Sequence, residues 1–148
     1  MTRILFVCLG NICRSPMAEC IFSRMAEEAG LSDRLEIASA ATSDEERGNP
    51  IYPPAARKLR EKGIPLRPHA ARRMTAADYG RFDLLIGMEE RNLSAMRRIA
   101  GGDPEGKIRR LLPDRDVADP WYTDDFETAY RDIAGGCRAL LDRLLEEE

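Results

Sequence analysis

The chain has 148 residues, 43% of them hydrophobic, enough to bury about two thirds of its unfolded surface around one core. Its 23 Lys and Arg nearly balance 26 Asp and Glu, and the net charge of -3 gives no global attraction to nucleic acid or to an anionic membrane. The opening run MTRILFVCLG is too short for a signal peptide, no stretch approaches a membrane span, and four scattered cysteines do not make a disulfide scaffold; one cytoplasmic domain, residues 1–148, is expected.

Arg3 to Val7 is a short β-branched and aromatic run, and Ser15 to Ala29 carries Met17, Ala18, Ile21, Phe22 and Met25 near a 3.6-residue period. This predicts strand, loop, helix. A second strand is expected over Arg34 to Ala38, where Leu35 and Ile37 alternate with charged or small neighbours, and a helix over Pro53 to Lys62, entered through prolines and closed by Gly63. Phe82 to Met88 reads as a buried strand, followed by a helix from Glu89 to Ala100 that stops at Gly101 and Gly102. Lys107 to Leu112 is a fourth strand. A polar loop from Pro113 to Asp124 then leads to a last amphipathic helix, Asp125 to Leu145.

Alternating elements of this kind predict an α/β protein: a four-stranded parallel sheet with helices on both faces, a three-layer sandwich joined by right-handed crossovers. Ligands of such sheets sit beyond the carboxyl ends of the strands, where the winding reverses. The loop after the first strand, which begins at Cys8, is therefore the first place to look for chemistry.

That loop, CLGNICRS, contains Cys8, five intervening residues and Arg14. The spacing alone is weak, and its position carries the reading. A loop opening a helix aims N–H groups and the positive end of the helix dipole at one point, an anion site. Gly10 and Asn11 tolerate the positive φ that a tight loop needs. Arg14 can hold two phosphate oxygens with its planar fork. Such a field favours a thiolate, which makes Cys8 a candidate nucleophile. The plainer alternative is that Cys8 and Cys13 are small hydrophobes at a strand end. Zinc lacks ligands here, with no second spaced cysteine pair and one histidine in the chain, and no G-x-x-x-x-G-K-[ST] nucleotide loop occurs.

VCLGNICRSPMAE resembles the signature of the low-molecular-weight phosphotyrosine protein phosphatase family, and the likeness extends to FETAYRDIAGGCRALL near the C-terminus. The resemblance implies a flavodoxin-like fold and a two-step hydrolysis, free of metal and cofactor, through a phosphocysteine on Cys8. Arg14 is then the phosphate clamp, and Leu9, Gly10, Asn11, Ile12, Cys13 and Ser15 line the phosphate. It further implies that Asn11, Ser15, Ser39 and His69 hold the loop open by hydrogen bonds, Ser15 also bonding the sulfur. Read without the resemblance, His69 is an ordinary surface or core histidine and Ser39 an ordinary strand-end serine.

A phosphate-ester hydrolase needs a group to protonate the leaving oxygen and later to deprotonate water, and one carboxyl can do both. The loop after the fourth strand opens at the same sheet edge as Cys8 and contains ADPWYTDDFE. This run resembles the family's Asp-Pro-aromatic-aromatic segment. Asp119 is the expected acid, Trp121 and Tyr122 the ring-stacking walls, and Asp114 and Asp116 the fallbacks. The plainer reading of Asp119-Pro120 is a turn start. Glu45 stands near where the family often has an aromatic wall, with Tyr52 as a substitute for it or a less enclosed substrate as the alternative, and Glu89 stands where the family tends to carry Asp, read as a change at a helix start.

Three rivals remain. Thioredoxin-coupled arsenate reductases need further cysteines around FDLLIGMEERN, where none occurs. Protein-arginine phosphatases of the family tend to have Thr where this chain has Ile12, whose apolar branch favours an aromatic ring over a guanidinium phosphate. A non-catalytic phosphopeptide-binding module would lack nucleophile or acid, and both are here. The expected partners are phosphotyrosine-containing proteins, a cognate tyrosine kinase among the candidates, with no nucleic acid and no membrane. A monomer is expected, with a weak dimer through the aromatic rim as the alternative.

Overall fold

In the computed structural model, which describes residues 1–147, strand β1 (Thr2–Cys8) lies inside the sheet with a parallel neighbour on each side. Helices cover both faces of the sheet, so both sets of alternate β1 side chains face protein from Ile4 onward, which is why Ile4 to Cys8 is continuously apolar. Ile4, Phe6 and Cys8 join one core, Leu5 and Val7 the other. The sheet order is β2 (Leu35–Ala41), β1, β3 (Leu84–Gly87), β4 (Ile108–Arg110), all parallel. This is the flavodoxin-like order, and the winding reverses at β1, whose carboxyl end is Cys8.

Helices α1 (Arg14–Glu28), α2 (Pro53–Glu61) and α6 (Phe126–Glu146) cover one face, contributing Met17, Phe22, Leu59, Ile133 and Leu141 to its core. Helices α3 (Ala76–Arg81) and α4 (Glu90–Ala100) cover the other with Tyr79, Leu93 and Met96. The short α5 (Pro120–Thr123) sits in the loop before α6.

The expected α/β sandwich and its four parallel strands are present, with differences at element ends. The second strand starts at Leu35, after a 3-10 turn over Ser32–Arg34, and runs on through Ser39, Ala40 and Ala41, which pair with Phe6, Val7 and Cys8. Those small residues carry no alternation to signal a strand, and the ladder with β1 decides it. The fourth strand shrinks to Ile108–Arg110. Four-residue α5 lies in the stretch read as loop, and six-residue α3, capped by Thr75 and Asp78, where no element is predicted, because neither completes two helical turns and so neither shows a period.

Gly136 in α6 meets the segment that leaves β4: a Cβ there would lie 2.5 Å from Cγ of Leu111, which is itself buried. The helix can approach so closely only because glycine has no side chain. Gly136→Ala is expected to lower unfolding stability by about 1–3 kcal/mol, the range for an overpacked core, read as a lower urea midpoint with an unchanged slope. An unshifted midpoint would mean that α6 slides away without cost.

Candidate active site

The chemistry-bearing loop is shaped by where its carbonyls go. The oxygens of Cys8, Leu9 and Ile12 accept from the backbone N–H groups of Thr42 (2.9 Å), Ser43 (3.1 Å) and Tyr52 (2.8 Å), and Asn11 O from His69 Nε2 (2.6 Å). A carbonyl only accepts, so the ring must carry its proton on Nε2. With the carbonyls turned outward, the loop's N–H groups turn inward. Those of Gly10, Ile12 and Cys13 meet no protein acceptor among the described residues. Helix α1 adds to this field: its N-cap, Cys13, makes no side-chain capping bond, and its first turn contains no acidic residue. Its leading N–H groups and dipole end are left for an anion.

Asn11 is the keystone of the loop. It is fully buried at φ 59°, a backbone that asparagine adopts more readily than most residues. Its N–H points at Cys8 Sγ (3.3 Å), its Nδ2 donates to Ser15 Oγ (2.7 Å), and its Oδ1 accepts from the N–H of Arg72 (3.2 Å). Because the Asn11 amide can only donate to Ser15, the serine keeps its own proton for another acceptor. Cys8 Sγ at 3.0 Å is nearer than Ala40 O at 3.4 Å, so the hydroxyl is placed to serve the sulfur.

Arg14 lies buried beneath the same loop. Nη1 donates to Val117 O (2.8 Å), and Nη2 to Glu89 Oε1 (3.2 Å) and Asp119 Oδ2 (3.3 Å). Burial alone would lower its pKa, but the sulfur of Cys8 and the carboxylates of Asp119 and Glu89 outweigh that and hold the guanidinium above its ordinary value. Cys13 behaves in the opposite way. Burial, reinforced by the neighbouring Cys8 and Asp119, pushes its thiol up to about 12, so it stays protonated while Cys8 lies at the focus of the donors.

A cleft of about 120 Å³ opens above this floor, bounded by Cys8 through Arg14, by Glu45 and Glu46 from the loop after β2, and by Asp119, Trp121 and Tyr122. Asp119 caps α5, its Oδ1 accepting from Trp121 N–H (3.1 Å), while Trp121 and Tyr122 stand 51% and 73% exposed and so form a rim rather than a core. Among the described residues no cluster of three or more His, Cys, Asp or Glu could share a metal ion.

Leu9, Gly10, Asn11, Ile12, Cys13, Trp121 and Tyr122 line this cleft, Ser15 lies buried below it in contact with Asn11 and Cys8, and His69 touches the loop. Ser39 does not fit its expected role. Its hydroxyl donates to Glu19 Oε1 (2.7 Å) on α1, because the β2 register turns it toward that helix rather than toward the loop. Tyr52 is not the substitute wall either. Its ring packs 4.9 Å from that of Trp121 and 6.2 Å from Phe126, propping the rim from behind. The fallback acids lie outside the cleft, with Asp116 engaged by the N–H of Glu90 (3.0 Å) and by Arg110 Nη1 (3.0 Å).

Three contributors escaped the sequence reading. The carbonyl of Val117 and the N–H of Arg72 are backbone groups and leave no residue-type signal. Glu89 is the helix start its position suggests, capping α4 with Asn92 completing the box, but the same carboxylate also grips Arg14. An acidic residue just past a strand's carboxyl end, beside the loop, was the available signal. Glu89→Ala is expected to lower kcat about tenfold by loosening Arg14, while inorganic phosphate inhibits as well as before because the positive potential rises. Unchanged kcat would reduce Glu89 to a helix cap.

Fold and loop together define an α/β protein with an anion cradle built around a cysteine at its topological switch point. Residues 3–148 match the family model described as low molecular weight phosphotyrosine protein phosphatase. The chain is 39% identical to the low molecular weight protein-tyrosine-phosphatase YfkJ of Bacillus subtilis, over 100% of this chain and 99% of that protein. It is 38% identical to the human low molecular weight phosphotyrosine protein phosphatase, over 95% and 94%. The crystal structure of YfkJ from Bacillus subtilis superposes with a TM-score of 0.95 over 100% of this chain and 97% of that one, at 38% identity. The chain therefore belongs to the low molecular weight phosphotyrosine protein phosphatase family.

Proposed function

We propose that residues 1–148 act as one protein-tyrosine phosphatase domain that hydrolyses phosphotyrosine through a phosphocysteine. Cys8 Sγ attacks phosphorus and the bond to the tyrosyl oxygen breaks, with Asp119 passing its proton to that oxygen. Water then attacks the phosphocysteine, Asp119 takes the water's proton, and the P–S bond breaks to return the thiolate, which the Ser15 hydroxyl and the Asn11 N–H receive. The inward N–H groups and Arg14 hold the equatorial oxygens throughout. Arg14 Nη2 donates to Asp119, so the guanidinium that grips the phosphate also holds the acid beside it. Ile12, Trp121 and Tyr122 offer apolar faces to the tyrosyl ring.

The observation that carries this reading is the convergence on one small cleft of a sulfur contacted by Asn11 N–H and Ser15, an arginine, and a carboxylate 3.3 Å from that arginine. Proteins bearing phosphotyrosine are then the partners, a cognate tyrosine kinase among them. Among the described residues no helix is long and apolar enough to cross a membrane, and we read the protein as cytoplasmic. The test is release of phosphate from phenyl phosphate, a phosphotyrosine peptide and a phosphoarginine peptide without added metal. Turnover of the first two is expected, and faster turnover of phosphoarginine would move the substrate assignment to arginine.

A further inference from the structure

Above the cationic floor, the mouth of the cleft is acidic. Among the described residues Arg14 is the sole Lys or Arg bounding it, while Glu45, Glu46 and Asp119 contribute three carboxylates. Asp119 has a task and a partner. Glu46 is fixed by Asn49 Nδ2 (2.6 Å) and leans on the loop, its Cγ lying 3.3 Å from where a Cβ of Gly10 would stand. Its charge reaches inward far enough to be one of the groups that raise the Cys13 thiol. Glu45 is exposed and makes no hydrogen bond or ion pair among the described residues. Nearby arginines do not neutralise it: Arg47 (2.8 Å) and Arg73 (3.7 Å) are both drawn to Asp44.

An unpaired carboxylate beside a phosphate site opposes the approach of every dianionic ester unless a cation compensates it, and among the described residues no Lys or Arg pairs with Glu45. The substrate can. From this arrangement, and resting on the phosphatase reading above, we infer that Glu45, with Glu46 behind it, selects phosphotyrosine in basic surroundings: segments with Lys or Arg beside the phosphotyrosine are preferred over neutral ones, and Asp or Glu there is disfavoured. The phosphate fills the cradle, the ring passes Trp121 and Tyr122, and the flanking cation meets the rim carboxylates. Glu45 here is a specificity residue that touches the flank of the substrate, not the reacting atoms.

The test uses three peptides of one length, each with a central phosphotyrosine flanked by Lys, by Ala or by Glu, and phenyl phosphate as a substrate without flanks. Exposed charge pairs are worth between about 1.4-fold and 5-fold each, so in the wild type kcat/KM should favour the Lys peptide over the Glu peptide by about tenfold at low salt. The ratio should shrink as added salt screens the rim. In E45Q the ratio should fall, and in E45K it should fall further or invert. Equal kcat/KM for the three peptides in the wild type would overturn the inference, as would a preference that survives E45K unchanged. Turnover of phenyl phosphate separates the two levels: if the wild type hydrolyses it but ranks the peptides equally, the rim assignment alone fails, and if it hydrolyses none of the esters, the phosphatase reading fails and takes the rim assignment with it.

Discussion

Cys8→Ser should reduce turnover of any aryl phosphate to background, a loss of roughly 10⁴-fold or more, while inorganic phosphate and vanadate still bind. Serine keeps the shape of the side chain but remains a protonated, weak nucleophile. The cradle does not depend on sulfur. Its carbonyls are held by Thr42, Ser43, Tyr52 and His69, and the sulfur's own contacts are the Asn11 N–H and the Ser15 hydroxyl, both of which an oxygen can accept. Vanadate affinity, read by calorimetry or as a rise in Tm, should therefore stay within a few-fold of the wild type. Measurable turnover would remove Cys8 from the mechanism. Lost anion binding together with lost turnover would mean that sulfur, not the backbone, holds the loop.

For Asp119→Ala, a loss of roughly 100-fold or more is expected on phenyl phosphate, the range for one general acid. A structural explanation competes here, because Asp119 also caps α5 and so holds Trp121 and Tyr122 at the rim. The two roles give different leaving-group behaviour. A missing acid hurts most when the departing phenol is a poor leaving group, so across aryl phosphates of falling phenol pKa the variant should show a steep dependence and the wild type a shallow one. A displaced rim costs the same factor for every ester. Asp119→Asn sharpens the comparison, since asparagine caps a helix about as well but cannot donate the proton. It should lose as much as alanine on phenyl phosphate while keeping the rim in place. Asp114→Ala and Asp116→Ala should leave both slopes alone, since neither borders the cleft. A uniform loss across the esters, in Asp119→Ala and Asp119→Asn alike, would make Asp119 a turn residue.

What the sequence by itself determined was the alternation of elements and the place of the chemistry. Long elements declare themselves through period and composition: the 15-residue α1 and 21-residue α6 have apolar stripes, and β1 is apolar from Ile4 to Cys8, where both its faces are covered. The loop after the first strand, with Cys8 and Arg14, and the loop after the last strand, with Asp119, open at one edge of a parallel sheet, so chain order places them together, while the choice of Asp119 over Asp114 and Asp116 comes from the resemblance of ADPWY to the family's segment. What only the tertiary structure decided were relations between groups that share no local pattern. Ser39 turns to Glu19 because register assigns its face, and Tyr52 goes behind Trp121 because α6 brings Phe126 beneath it. Arg14 finds Glu89 and the carbonyl of Val117 across more than 70 residues of chain, and His69 reaches Asn11 across 58. Local propensity is a property of a few neighbouring residues, whereas these contacts depend on how strands register and helices dock, energies summed over the whole core. The unpaired charge of Glu45 belongs with them: a carboxylate on a loop draws no notice until the fold sets it at the mouth of an anion site and commits Arg47 and Arg73 to Asp44.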